Sequence, residues 1–195
     1  SDAKTGEPLG FFYLDLFPRE GKFNHFAVFS IIDGKHLADG TYQRPVCALV
    51  CNFPPPGADK PSLLTHGDVE TLFHEFGHAL HSILSQSQYQ HMSGTRMAMD
   101  FVKTPSHLME HFCWETSVLK LLAPDMPDEL ILQLQQSRFE FAALDRQNQI
   151  LYSLMDQQLF GKPATSSMHH MELWGALHAQ THVPYLKGTH WFSKF

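Results

Sequence analysis

Residues 74–78 read His-Glu-Phe-Gly-His, two imidazoles four positions apart with a carboxylate beside the first. On a helix advancing 100° per residue, His78 lies about 40° round from His74, and His81 about 20° to the other side. Two histidines so placed can reach one zinc ion. Glu75, turned about 100° from His74, can reach a water on that ion without ligating it. The chain has fourteen histidines among 195 residues, yet its composition gives only about 0.05 chance matches to this pattern. His81 is read as lining a cleft and not as a ligand.

Such a site needs a third ligand, usually a carboxylate from downstream. A metzincin would carry glycine at position 81 and histidine at position 84; His81 and Leu84 stand there, which excludes that class. The next acids after His78 are Asp100 and Glu110, and spacing alone does not choose between them.

The elements that must hold these residues fall into two stretches. Residues 10–57 are β-rich: Phe11–Phe17, Asn24–Ile32 and Pro45–Phe53 carry β-branched and aromatic residues between Pro-, Gly- and Asp-containing turns. Residues 65–180 are helical. Thr65 with Asp68 predicts a capping box. Val69, Leu72, Phe73, Phe76, Leu80, Ile83 and Leu84 then form one apolar stripe, expected to pack opposite the histidines. A second helix is predicted over 104–123 and a third from about 127 to Gly161, with Phe139, Phe141 and Tyr152 as core. A short fourth covers 167–179. His169 and His170 are expected to be solvated. The fold class is therefore mainly α with a small β-sheet on the N-terminal side.

Composition removes several function classes. The longest apolar run is six residues, Val46–Cys51, too short to span a membrane. A net charge of −6 without a basic stretch argues against nucleic acid as a partner. Cys47 and Cys51 are roughly 13 Å apart along a strand, too far for a disulfide; with Cys113 they read as buried thiols in a reducing compartment. The N-terminal residues resemble neither a signal nor a transit peptide, and the aromatic end Trp191–Phe195 reads as a cut through a folded region.

Several motifs then agree. His74–His81, Ser93-Gly94-Thr95, Asp100-Phe101, Pro105-Ser106 with Glu110, and upstream Tyr13-Leu14-Asp15, Arg19–Lys22, His25-Phe26-Ala27 and Pro45–Phe53 resemble the thimet oligopeptidase family of zinc peptidases. Thr104–Glu110 and Lys187–Trp191 resemble most the mitochondrial intermediate peptidase branch. The resemblance implies a zincin-like catalytic domain, present in part over residues 1–195, with the C-terminal catalytic part of the family absent. It implies one zinc ion on His74 and His78, with Glu75 as the catalytic carboxylate. It also implies peptide or imported precursor substrates, octapeptide removal, and a mitochondrial matrix location. An edge strand from Pro45–Phe53 is expected to pair with substrate. Glu110 is expected beside a histidine ligand, and Asp15, Arg19 and Lys22 in a structural turn.

One position departs. The family's third ligand is a glutamate in Asp-Phe-x-Glu-x-Pro-Ser, and here Asp100-Phe101-Val102-Lys103-Thr104-Pro105-Ser106 puts Lys103 there. An ammonium offers no lone pair and repels a dication. Zinc is then expected to bind weakly. The alternative reading is a catalytically impaired or non-catalytic peptide-binding homologue; for the site to work instead, Asp100 or His107 would have to take the vacant ligand position.

Overall fold

The computed structural model describes residues 1–161 and 169–189. Contacts divide the chain into two compact units, Ser1–Met126 and Pro127–Phe195.

The first unit begins with strands β1 (Phe11–Asp15), β2 (Ala27–Ile32) and β5 (Val46–Val50), the three predicted stretches, in the order β1-β5-β2. β1 runs parallel to β5 and β2 antiparallel to it, with an irregularity between Ser30 and Ile32. A two-residue ladder of β3 (Lys35–His36) and β4 (Tyr42–Gln43) intervenes, too short for any sequence period to announce. β5 is central, so the expectation that it forms an edge is corrected: β2 and β1 are the margins. Its alternation turns Cys47 and Leu49 inward, followed by Cys51 and Phe53.

The turn after β1 is held by a buried cation. Lys22 Nζ, its side chain only 3% exposed, donates to the carbonyls of Asp15, Phe17 and Cys51 at 2.9, 2.6 and 2.5 Å and to Asp15 Oδ1 at 3.0 Å. Arg19 Nη1 holds the same carboxylate at 2.7 Å. This motif ties the ends of β1 and β5 together, the structural role expected of it. Lys22→Met should destabilise the fold by about 2–4 kcal/mol, because buried carbonyls lose their donor; urea denaturation of both chains measures it. Hydrogen bonds from Arg19 and then Lys22 hold the Asp15 carboxyl down at about 2. A carboxyl depressed on folding contributes stability above its unfolded value near 3.8, and the contribution fades as pH falls towards 2. Acid titration should therefore show a loss of stability between about pH 4 and 2 that Asp15→Asn removes.

Helix α1 (His66–Leu84) starts at the predicted capping box: Thr65 Oγ1 accepts from the Asp68 amide and Asp68 Oδ2 from the Thr65 amide. Its packing differs from the single stripe. Leu72, Phe76, Ala79 and Ile83 meet Cys47, Leu49, Cys51 and Phe53 of the sheet side, whereas Leu84 is exposed and Glu75 is buried. A second surface of α1 is covered by α2 (Thr104–Phe112). There an added Cβ on Gly77 would lie 2.5 Å from Ser106 Cα. Covered on two sides, α1 carries its histidines between the two contacts and not diametrically opposite one core.

The predicted helix over 104–123 is two helices, α2 and α3 (Thr116–Leu122). Tertiary anchors explain the break. Cys113 is fully buried, its carbonyl meets His66 Nε2 at 3.1 Å, and Trp114 Nε1 donates to Glu70 at 2.9 Å. The three thiols are free and buried, and burial pushes Cys51 up to about 12 and Cys113 to about 11, so the thiolate nucleophile is suppressed.

In the second unit the predicted long helix also divides, into α4 (Asp128–Ser137) and α5 (Ala142–Phe160). Phe141 between them is left-handed at φ 58°, which no periodicity signals. Phe139 and Phe141 are exposed, correcting their assignment to the core; Leu151 and Met155 pack instead with Trp174 and Leu177 of α6 (His170–His178). Residues 167 and 168 of the predicted fourth helix lie outside the described ones. His169 and His170 are exposed.

Candidate metal centre

The site is built by α1, α2, the margin strand β2 and the segment 93–103, all in the first unit. Gly94 adopts a left-handed φ of 59° and approaches Ser82 so closely that a Cβ would lie 3.1 Å from its Cα. Its amide donates to Ser85 Oγ at 3.0 Å. Ser93-Gly94-Thr95 is thus pinned against the end of α1, and Thr95 reaches the cleft.

His74 and His78 lie one turn apart on α1, their rings 4.9 Å apart and edge to face. Glu110 Oε1, from α2, lies 2.5 Å from His74 Nδ1. A neutral imidazole that donates from Nδ1 presents a free lone pair at Nε2, the arrangement that orients a metal-binding histidine. The same oxygen lies 3.0 Å from His107 Nδ1. Burial raises the Glu110 carboxyl, and its hydrogen bonds with His74 and His107 more than offset that, leaving it below the ordinary range.

Glu75 and His78 face a cleft of about 240 Å³ lined also by Phe26, Ala27, Val28, Thr95 and Lys103. Burial pushes the Glu75 carboxyl up, against the pull of His74 and Lys103. His78 is pushed down to about 4, first by burial and then by His74, Lys103, His81 and His107. Its Nδ1 is buried without a hydrogen-bond partner, as is that of His81. His81 lines a different, apolar groove with Gly77, Leu80, Pro105, Leu108 and Met109.

The donors fit a divalent cation at two positions and fail at the third. His74 and His78 offer imidazoles on one helix, and Glu110 fixes the tautomer of one of them. Lys103 stands at the N-cap of α2, exposed, with no side-chain capping bond, and brings positive charge to the cleft. Asp100 is exposed in the preceding turn and does not join His74; among the described residues the converging donors are His74, His107 and Glu110, all within 4.8 Å of one another. Sequence reasoning placed Glu110 beside a histidine. It missed Phe26–Val28 as cleft lining, because β2 became a margin only through the sheet order.

A model of peptidase family M3 matches residues 1–195, the whole chain. The mitochondrial intermediate peptidase of Arabidopsis thaliana is 43% identical over 194 residues, covering 96% of this chain and 28% of that protein. A thimet-like oligopeptidase of Dictyostelium discoideum is 40% identical over 181 residues, 86% of this chain and 27% of its own length. The human mitochondrial intermediate peptidase is 36% identical over 193 residues, 96% of this chain and 27% of its own. The chain therefore spans little more than a quarter of the length of these relatives.

Proposed function

The chain belongs to peptidase family M3, and from that premise we propose that it is the metal-binding part of a zinc endopeptidase of mitochondrial processing type. The observation that carries this reading is the His74–His78 pair on one helical face, with Glu110 engaging His74 Nδ1 at 2.5 Å beside the cleft that Glu75 enters. His74 and His78 would hold the ion through ring nitrogens. Zinc bound there would supply Lewis acidity, making water acidic and polarising the scissile carbonyl. Glu75 accepts a proton from the attacking water as its oxygen bonds to the carbonyl carbon. It returns that proton to the amide nitrogen as the C–N bond breaks. A pKa raised by burial suits a base that must later act as an acid. The outer edge of β2, with Ala27 and Val28 lining the cleft, receives the peptide backbone by strand addition.

The relatives carrying mitochondrial names support a mitochondrial location and imported precursors as substrates, with the matrix and octapeptide removal as the finer reading. Lys103 favours a second statement: this chain holds zinc weakly and cleaves slowly. In the Lys103→Glu background, Glu75→Gln should lower cleavage of a quenched octapeptide about 10²–10⁴-fold while zinc content stays unchanged. Cleavage that persists in that variant refutes the role given to Glu75.

A further inference from the structure

A second arrangement of donors shares His74 with the first and takes its other two residues from α2. Glu110 Oε1 lies between two ring nitrogens, His74 Nδ1 at 2.5 Å and His107 Nδ1 at 3.0 Å, and one ligand atom from each of the three residues falls within 4.8 Å of the other two. Zinc–ligand bonds of about 2.0–2.1 Å at tetrahedral angles set neighbouring donors roughly 3.3 Å apart. Each of those two ring nitrogens needs to draw away from the Glu110 oxygen by less than about 1 Å to admit an ion between them. His107, 60% exposed in its side chain, is free to make that adjustment.

The charge around it is also of the right sign. His74 and Glu110 line a cavity of about 310 Å³ with Glu70 and Thr71, whereas Lys103 lines the cleft of Glu75 and His78. A dication in the first cavity meets two carboxylates; in the second it meets an ammonium and one carboxylate. Two imidazoles and a carboxylate, with a position left for water, are a donor set suited to zinc and similar ions.

We propose that His74, His107 and Glu110 form a divalent transition-metal site, distinct from the His74–His78 pair, which this chain fills in preference to that pair. The two cannot be filled together by neutral rings. When His74 Nδ1 donates to Glu110, Nε2 is free to ligate beside His78. When Nδ1 ligates, the ring proton moves to Nε2 and closes that nitrogen to a second ion. Lys103 lines the cleft of Glu75 and His78 and so disfavours the His74–His78 arrangement, whereas it is not among the residues lining the cavity of His74 and Glu110.

Titration of the full chain with Co²⁺, followed by its visible absorption and by zinc competition, tests this. One ion per chain is expected. His107→Gln should weaken binding at least tenfold, while His78→Gln changes it less than twofold; both variants are checked for native circular dichroism. His107 is exposed, so its replacement does not threaten the fold. Equal or greater loss on His78→Gln, no loss on His107→Gln, or no binding by the unchanged chain overturns the proposal. The peptidase reading is judged separately: octapeptide cleavage by Lys103→Glu that survives His107→Gln supports that reading whatever the titration shows.

Discussion

Lys103→Glu is expected to raise zinc affinity at the His74–His78 pair by about 100-fold or more, and octapeptide cleavage with it. The substitution supplies a carboxylate where an ammonium shares a cleft with Glu75 and His78. A unit charge about 5 Å from a dication is worth roughly 6–7 kcal/mol at an effective dielectric of about 20, before the change of sign is counted. Lys103 is exposed, so solvent screening reduces that considerably. A residue of about 2.7 kcal/mol still corresponds to 100-fold. The fold should tolerate the change, because an acid at the N-cap of α2 meets the positive end of the helix. Zinc per chain after dialysis and the cleavage rate are measured together. A mutant that gains neither shows that Lys103 is not what limits the site.

Gly77→Ala should destabilise the chain by about 2–4 kcal/mol, against the gain of about 1 kcal/mol that helix propensity alone would give. Gly77 lies inside the His-Glu-Phe-Gly-His run, where α1 meets α2. A Cβ there would stand 2.5 Å from Ser106 Cα and 2.9 Å from the Pro105 carbonyl, both backbone atoms that cannot turn aside. α2 must move, and it carries Glu110, so the hydrogen bond with His74 lengthens as well. A urea midpoint below that of the unchanged chain, with weaker metal binding, is the expected result. A midpoint at or above it would show that the helices separate at little cost.

These two substitutions divide what different parts of the chain reveal. The character of Lys103 is legible in the sequence, because a charge type at a motif position needs no coordinates to be wrong for a cation. Gly77 is not, because its constraint comes from α2, thirty residues away. The three main strands and α1 were legible from β-branched composition, the capping pair Thr65–Asp68 and the 3.6-residue period, all of which act over a few residues. The breaks at Cys113–Glu115 and at Phe141 were not. The first answers to His66, Val69 and Glu70 on another helix; the second is a single left-handed residue that leaves the apolar period intact.

The candidate site divides in the same way. The spacing of His74, Glu75 and His78 follows from helix geometry, so sequence alone determined that two imidazoles share a face. Whether Asp100 or Glu110 stands beside His74 depends on where α2 lies against α1. Sequence spacing left both open, and tertiary structure brings in Glu110 and leaves Asp100 in an exposed turn. The strand beside the cleft depended on sheet order, which placed β5 at the centre and β2 at the margin. Local chemistry and short-range periodicity are carried by the covalent chain itself. Partners from distant segments are chosen by burial and by hydrogen bonds formed only after those segments pack.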